Sequence, residues 1–177
     1  HELVACGLVV AACVFDKVDR HIAFEAIVPD GTVVKAGEAL WRVSGRARSI
    51  LMGERVALNF VQRMSGIATM TRSYVKAVPK ECTTRIVDTR KTVPGLRAFD
   101  RYAVYVGGGR NNRDNLSSAV FIKDNHIVAC GSIAKAIQAA KQYASHAHKI
   151  ICEVDTLKQL DEVLSAGADI VLLDNME

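Results

Sequence analysis

The chain has 177 residues, of which 50% are hydrophobic and 24% are charged. That content supplies a buried core and excludes an intrinsically disordered chain. The formal net charge of +4 mildly favours anionic partners. Only 6% of the residues are aromatic, and Lys and Arg form no dense runs, which argues against a nucleic-acid-binding protein.

The cysteines predict neither a disulfide framework nor a zinc site, because they are odd in number and lack CxxC spacing: Cys6, Cys13, Cys82, Cys130 and Cys152. A reducing cytoplasm is therefore the expected location. The apolar run at residues 3–15 has no basic leader and is shorter than the roughly 20 residues that span a bilayer. We interpret it as a buried helix or strand and expect no membrane partner.

The first part of the chain predicts a small β-rich region followed by one long helix. Between residues 10 and 45, short apolar stretches alternate with turn residues such as Pro29 and Gly31, which is typical of antiparallel strands joined by tight turns. Residues 49–78 contain no proline and repeat apolar residues every three or four positions. This spacing indicates a helix, in which Gly66 allows a bend.

After Pro79 the pattern alternates between strands and helices, which is typical of parallel βα units. The predicted strands are residues 85–88, 120–123, 149–154 and 170–174, and the predicted helices are residues 96–104, 132–143 and 157–166. The fold class is therefore α/β with a small α+β part: an open TIM-like α/β barrel, incomplete in this chain, preceded by a β-rich domain and a long connecting helix. We expect the domains to comprise residues 1–68 and 69–177.

Charged residues follow each predicted strand, at the edge of a parallel sheet where active sites are built. They are Asp88 to Lys91, Lys123, Glu153 and Asp174. Cations bind phosphates and carboxylates, whereas carboxylates accept ribose hydroxyls or hold Mg²⁺. The combination favours a phosphorylated sugar as substrate. The glycines at 107–109, followed by Arg113, predict either a loop whose free amides approach an anion or a mobile connection.

Several segments together resemble the quinolinate phosphoribosyltransferase family in order and spacing. They are ERVALN at 54–59, SGIAT at 65–69, DTRKT at 88–92, PGLR at 94–97, the three glycines with Arg113, IKDNH at 122–126, Glu153-Val154 and LLDNM at 172–176. The resemblance runs from about Gly7 to the last residue. It implies an enzyme that transfers phosphoribosyl from phosphoribosyl pyrophosphate to quinolinate with decarboxylation, giving nicotinate mononucleotide for NAD biosynthesis.

The resemblance also implies cofactor, assembly and site residues. It implies Mg²⁺ as cofactor and a homodimer or higher oligomer, in which Arg55 completes the site of the partner subunit. The implied substrate-binding residues are Arg55, Arg90, Lys91, Asn112, Arg113, Lys123, Glu153 and Asp174. The implied catalytic residues are Lys91, Glu153 and Asp174. Glu153 and Asp174 are also the implied metal ligands, acting mainly through substrate and water.

Some motif residues have a structural alternative. Asn59 and Ser65 are suited to capping or packing the long helix, Asp88 to holding the Thr92 turn, and His126 to a hydrogen bond after its strand.

The chain departs from the family pattern in three places. Asn112 stands where family members usually have His, so a neutral amide replaces an imidazole, and Asp114 and Asn115 are also unusual. Relative to the family, we expect the chain to be truncated at both ends.

Of three alternatives to this assignment, two stay open and one is rejected. A related phosphoribosyltransferase of the molybdenum-transport-associated type is favoured by Asn112 and opposed by the intact segment 123–126. A scaffold homologue without turnover is also compatible with the sequence. A lipoyl-type carrier, suggested by residues 30–37, is rejected because the modified lysine in its hairpin is missing.

Overall fold

The computed structural model describes residues 2–176, and the chain divides into two compact units, residues 1–112 and residues 113–177. The elements of the first unit are β1 (Glu2–Val4), α1 (Leu8–Val18), β2 (Ala23–Ala26), β3 (Val33–Lys35), β4 (Trp41–Ser44), α2 (Ala47–Ala77) and α3 (Arg97–Val106). Those of the second are β5 (Val120–Ile122), α4 (Asp124–Cys130), α5 (Ile133–Tyr143), β6 (Ile150–Val154), α6 (Leu157–Ala166) and β7 (Ile170–Leu173).

The short strands of the first unit form two antiparallel pairs. Strand β1 pairs with β3, and β2 pairs with β4, so that Phe24 lies opposite Val43. Gly31 and Gly37 adopt positive φ angles of 93° and 89° in the turns between these strands. A side chain with a Cβ atom disfavours that conformation, so glycine is suited to both turns. The prediction of antiparallel strands is confirmed for residues 23–44.

The same prediction is wrong for residues 10–18, which belong to helix α1. Leu8, Ala11 and Phe15 recur on one helical face and are buried against α2. A residue set with three- and four-residue spacing fits a helix face, whereas a strand would turn every second residue toward the core. The apolar run at 3–15 thus contains both a strand and a helix.

Helix α2 confirms the long helix predicted from residues 49–78. It has 31 residues, continues through Gly66, and buries a stripe that includes Ala57, Val61, Met64 and Ala68. The stripe contributes to two apolar clusters, one with α1 and one with β1 and α3. A fully buried side chain of the size of Met64 stabilises the fold by about 1.5–3 kcal/mol.

The predicted buried strand at residues 85–88 is wrong. Only an isolated parallel bridge between Val87 and Arg110 forms there, and Val87 is 48% exposed. A buried strand requires neighbours that cover its two faces and accept its backbone hydrogen bonds, and within residues 2–176 this segment has a single bridge.

The second unit is a parallel three-stranded sheet with strand order β5-β6-β7. Val120 lies opposite Ile150, and Glu153 lies opposite Leu172. Ile122, Ile137, Cys152 and Val163 form the centre of its core, between one face of the sheet and helices α5 and α6. The predicted strands at 120–123, 149–154 and 170–174 are confirmed, as are the helices at 96–104, 132–143 and 157–166. Helix α4 was not predicted.

The observed architecture confirms a mixed α/β class, with an open parallel sheet and no closed barrel among residues 2–176. The proposed boundary between residues 68 and 69 stays a prediction and lies inside α2. In the described part of the chain, no helix is both long and apolar enough to cross a membrane.

Candidate active site

The predicted residues of the second unit lie at the carboxyl ends of its parallel strands. Lys123 directly follows β5, Glu153 is the fourth residue of β6, and Asp174 directly follows β7. Strand alternation turns Ile150, Cys152 and Val154 toward the core, so Glu153 lies on the opposite face of the sheet. The parallel order β5-β6-β7 therefore brings all three residues to one edge, as the sequence predicted.

Lys123 and Glu153 form an ion pair across the first two strands. The Nζ atom of Lys123 lies 2.5 Å from Oε2 of Glu153, and the two side chains are 46% and 16% exposed. A carboxylate in this position orients the ammonium group through a charge-assisted hydrogen bond. The half-exposed ammonium retains donors that can face an anion.

Phe121 joins a second cation to this pair. The guanidinium carbon of Arg113 lies 4.5 Å from the centroid of the Phe121 ring, and Lys123 Nζ lies 5.1 Å from the same centroid. The ring face carries negative electrostatic potential and therefore attracts both cations. Arg113 also donates to the carbonyl oxygen of Ala119 at 3.4 Å. Phe121 thus places two positively charged groups on one aromatic side chain.

Asp174 extends the sheet beyond the last residue of β7. Its backbone N–H donates to the carbonyl oxygen of Val154 at 2.9 Å, which continues the ladder between the strands. Its carboxylate accepts from Nδ2 of Asn175 at 3.2 Å and is half-buried. Asn175 has a positive φ of 49°, a conformation that asparagine tolerates better than most residues.

Arg90 and Lys91 lie in the loop that precedes α3 in the first unit. Arg97, the first residue of α3, donates from Nε to Oγ1 of Thr92 at 3.1 Å. Asp100 accepts the backbone N–H of Val93 at 3.4 Å. Helix α3 therefore anchors the loop near both predicted residues. The Lys91 side chain is exposed, and Nε of Arg90 is buried with no hydrogen-bond partner among residues 2–176.

A second anchor of this loop is the pair of Arg63 and Asp100, which the sequence did not reveal. Arg63 donates from Nε and Nη2 to the two carboxylate oxygens of Asp100 at 2.8 and 2.7 Å. These hydrogen bonds raise the pKa of the Arg63 guanidinium. Such a bidentate contact fixes the orientation of both groups. The pair joins α2 to α3 at the helix turn that also holds Val93.

Hydrogen bonds to its backbone groups fix the position of Asn112. Its N–H donates to Oδ1 of Asp88 at 2.7 Å, and its carbonyl oxygen accepts from the guanidinium of Arg101 at 3.2 and 3.3 Å. The Asp88 carboxylate therefore contacts the segment that follows the glycines, and not the Thr92 turn as the structural alternative predicted. Arg101 was missed because nothing in its sequence neighbourhood indicates this distant partner.

The three glycines form a packed turn at the end of α3. The N–H groups of Gly107, Gly108 and Gly109 donate to the carbonyl oxygens of Ala103, Tyr105 and Val104, each at 3.0 Å. The prediction of free amides for an anion is therefore wrong. A Cβ atom on Gly107 would lie 2.5 Å from the carbonyl oxygen of Ala68, so glycine permits the close approach of α3 to α2.

Other motif residues have structural roles. The Ser65 hydroxyl accepts the backbone N–H of Cys6 at 3.0 Å, and the Thr69 hydroxyl accepts that of Val4 at 2.9 Å. Two side chains of α2 therefore provide hydrogen-bond acceptors for backbone N–H groups in and just after β1. His126 accepts the backbone N–H of Lys123 at 3.0 Å through Nδ1. The hydrogen-bonding alternative is confirmed for His126, and Ser65 packs the long helix against β1. Arg55 lies on α2 with an exposed side chain.

Known proteins resemble the whole chain at the level of sequence. The family model of the quinolinate phosphoribosyl transferase C-terminal domain matches residues 67–177, and that of the N-terminal domain matches residues 1–65. A Bacillus subtilis protein named probable nicotinate-nucleotide pyrophosphorylase (carboxylating) is 46% identical over 91% of this chain and 55% of its own length. A Synechocystis protein of the same name is 44% identical over 98% of this chain and 58% of its own length.

Solved structures show the same similarity. NadC from Streptococcus pyogenes has a TM-score of 0.89 and 45% identity, covering 100% of this chain and 62% of that one. The nicotinate-nucleotide pyrophosphorylase from Francisella tularensis has a TM-score of 0.89 and 41% identity over the same shares. The chain spans about half the length of the curated relatives it matches. By its sequence and its fold, the chain belongs to the quinolinate phosphoribosyltransferase family.

Proposed function

We propose that a protein of the relatives' full length containing this chain transfers phosphoribosyl from phosphoribosyl pyrophosphate to quinolinate, with loss of one carboxylate as CO₂. The product is nicotinate mononucleotide, for NAD biosynthesis. Family membership and the names of the relatives support the proposal. The observation that carries it is the placement of Lys123, paired with Glu153, beside Arg113 at the carboxyl ends of parallel strands.

The proposed complete fold is an open TIM-like α/β barrel preceded by a β-rich domain and a long connecting helix. The sheet β5-β6-β7 has the parallel order and the flanking helices that a segment of such a barrel requires. The face that carries Phe121, Ile151 and Glu153 lies opposite the helix-packed core and corresponds to the barrel interior in this proposal. Catalytic residues at the carboxyl ends of these strands would then meet in the barrel mouth.

In the first step, the lone pair of the pyridine nitrogen forms a bond to C1 of the ribose. The bond from C1 to the diphosphate oxygen breaks, and its electron pair leaves with pyrophosphate. Arg90, Lys91, Arg113 and Lys123 would bind the anionic groups of the two substrates, and the half-buried Glu153 keeps Lys123 oriented. The half-buried carboxylate of Asp174 would accept a ribose hydroxyl. No covalent side-chain nucleophile is required.

In the second step, the bond between the carboxylate and the ring carbon next to the quaternised nitrogen gives its electron pair to the ring. That bond breaks, CO₂ leaves, and the ring carbon takes a proton. Desolvation of the carboxylate assists its departure. Lys123, which its ion pair with Glu153 orients, would supply that proton, and Lys91 is the other candidate donor.

The side chains at the strand ends show whether this site suits the Mg²⁺ that the family resemblance implies. Residues 2–176 contain no cluster of three or more His, Cys, Asp or Glu side chains that could hold a metal ion. Glu153 and Asp174 lie at the ends of adjacent strands, and Mg²⁺ commonly binds through one or two carboxylates together with substrate phosphates and water. These two residues therefore fit the ion as auxiliary ligands. When bound, it would neutralise charge on the departing diphosphate.

Self-association and location are further parts of the proposal. Arg55 would complete the site of a partner subunit in a homodimer, and its exposed position on α2 supports this role. The cytoplasmic location inferred from the cysteine pattern stays a prediction. A related transferase with another acceptor is the alternative that Asn112 raises, since an amide can recognise a neutral group as well as a carboxylate, but the names of the relatives do not favour it.

Isothermal titration of quinolinate into the full-length protein tests the substrate assignment. We expect binding, and we expect Arg113→Ala to weaken it at least about tenfold because a half-buried guanidinium that can pair with a carboxylate is lost. Lys149→Ala is the matched control, since Lys149 forms an exposed pair with Asp169 before β6. Absence of quinolinate binding by the unsubstituted protein, with binding of a different acceptor, would establish the alternative instead.

A further inference from the structure

We propose that Asp88 and Arg101 are a positioning pair that fixes the backbone of Asn112 and thereby aims its side chain at the acceptor substrate. The inference rests on the proposed function and adds two residues to it. Neither residue is expected to touch the substrate. The pair determines how well the acceptor's carboxylate is recognised.

The contacts to Asn112 occupy both of its backbone polar groups. Oδ1 of Asp88 accepts the N–H at 2.7 Å, while Nη1 and Nη2 of Arg101 donate to the carbonyl oxygen at 3.2 and 3.3 Å. Each contact includes a charged group, and such hydrogen bonds are stronger than neutral ones. A residue held on both sides of its Cα atom has a fixed Cα–Cβ direction.

Asp88 and Arg101 also hold each other in a buried setting. Nη1 of Arg101 lies 3.4 Å from Oδ2 of Asp88, and the side chains are 15% and 5% exposed. The Asn111 amide nitrogen, in the orientation that satisfies its neighbours, donates to Oδ2 of Asp88 at 2.9 Å and to the Arg101 carbonyl oxygen at 3.0 Å. Because the two charged side chains are largely buried, their contact is less screened than a surface pair.

The pair joins two segments that the proposed function uses. Asp88 directly precedes the loop with Arg90 and Lys91, and its backbone N–H donates to the Arg110 carbonyl oxygen at 3.1 Å. The backbone N–H of Arg110 in turn donates to the Ile86 carbonyl oxygen at 2.8 Å. The bridge brings the segments side by side, and the Asp88–Arg101 pair then sets the position of Asn112 beyond the bridge.

The carboxylate of Asp88 is suited to this role and not to substrate binding. Its two oxygens already accept from Asn112, Asn111 and Arg101, and the residue is 8% exposed. A carboxylate with these partners has little remaining capacity for a ligand. An anionic acceptor would also be repelled by it.

The experiment compares Arg101→Gln with Arg101→Lys in the full-length enzyme, and measures kcat and the KM of each substrate. We expect Arg101→Gln to raise the KM for quinolinate about tenfold while the KM for phosphoribosyl pyrophosphate changes less than about twofold. Arg101→Lys keeps a cation near Asp88 and should recover much of the loss. Arg42→Gln is the matched control, because Arg42 forms an exposed pair with Glu25 and should leave both KM values unchanged.

Coupling to Asn112 separates a positioning role from a purely structural one. Asn112→Ala should raise the quinolinate KM similarly, and the double variant Arg101→Gln/Asn112→Ala should be no worse than either single variant. A lower melting temperature with unchanged quinolinate KM, or an equal rise of both KM values, would overturn the positioning role. If Arg101→Gln does not fold, Asp88→Asn takes its place with the same expected values. An unsubstituted enzyme without turnover would overturn the proposed function itself.

Discussion

Lys123 and Glu153 meet across two parallel strands, with Nζ of Lys123 2.5 Å from Oε2 of Glu153. The strand register places Ile122 opposite Cys152, so the following residue of each strand reaches the same edge of the sheet. The pair is therefore a direct result of parallel pairing between residues 30 positions apart. A lysine fixed by a carboxylate provides a cation that needs little reorganisation when an anionic group binds.

Substitution of Lys123 should reduce catalysis more than it reduces folding. We expect Lys123→Met to lower kcat/KM by about 10²–10³, the range found when one fixed transition-state donor is removed. Glu153→Gln should also lower it, and the double variant should show less than the product of the two effects, because the residues act as a unit. Steady-state kinetics measure the values. Lys149→Met should match the unsubstituted enzyme, and an equal loss there would contradict the assignment.

Two glycines of the first unit should respond oppositely to alanine. A Cβ atom on Gly107 would lie 2.5 Å from the Ala68 carbonyl oxygen and 2.7 Å from Cβ of Thr71. We expect Gly107→Ala to destabilise the protein by about 1–3 kcal/mol through overpacking. Gly66 lies inside α2 with nothing within 4 Å of an added Cβ atom, so Gly66→Ala should stabilise it by about 0.5–1 kcal/mol.

Chemical denaturation of the 177-residue chain measures both free energies of unfolding. The comparison is matched because both substitutions add one methyl group. If Gly107→Ala is as stable as Gly66→Ala, helix α3 does not approach α2 as closely as the structure shows.

The titration of Tyr102 should depend on its hydrogen bond to Asp30. Asp30 accepts the backbone N–H groups of Gly7 and Leu8 at 2.9 and 3.0 Å and the Tyr102 hydroxyl at 3.0 Å. Burial, followed by the hydrogen bond to Asp30, raises the pKa of Tyr102 to about 12. A raised pKa means that the stability contributed by the neutral phenol is complete below pH ~10 and is lost as the pH rises through about 12.

Asp30→Ala should lower the pKa of Tyr102 toward ~10 and should destabilise the start of α1 by about 1–2 kcal/mol. Ultraviolet absorbance of the phenolate against pH measures the first effect, and denaturation measures the second. The Tyr102→Phe variant, which keeps the other three tyrosines, identifies the part of the absorbance change that belongs to Tyr102. An unchanged titration after Asp30→Ala would show that the carboxylate does not contribute.

The five thiols should fall into two classes of reactivity. Burial, with a smaller effect of Asp30, raises the pKa of Cys6 to about 12, and burial raises the pKa of Cys152. Cys13, Cys82 and Cys130 are exposed. Because the thiolate is the reactive form, Cys6 and Cys152 should be alkylated only after denaturation. Peptide mass spectrometry after a brief iodoacetamide pulse tests this, and native labelling of Cys6 as fast as Cys130 would contradict the packing.

Local signals made the helices and strands of the second unit predictable. Helix α6 is capped at its start by Thr156, whose side chain accepts the N–H of Gln159, and at its end by Gly167 with a φ of 72°. Cap residues and terminal glycines of this kind can be read from a sequence. The strand-end positions of Lys123, Glu153 and Asp174 followed from the same alternation of strands and helices. Their shared edge of the sheet was therefore predictable from the sequence pattern alone.

Non-local contacts account for the parts that were not predicted. Residues 85–88 have the composition of a buried strand, but a strand forms only where partners are available, and the sequence does not specify them. The glycines at 107–109 suggest an anion loop, whereas their lack of side chains permits the close approach of two helices. The contact between Asp88 and Arg101 depends on the bridge between Val87 and Arg110, for which no local pattern exists.

Product formation from quinolinate labelled in the carboxylate next to the ring nitrogen tests the central claim most directly. The full-length enzyme should form nicotinate mononucleotide and release labelled CO₂ in equal amounts, only when phosphoribosyl pyrophosphate is present, as measured by mass spectrometry. Lys123→Met should form at least about hundredfold less product in the same time. No product from the unsubstituted enzyme, or equal product from Lys123→Met, would contradict the account.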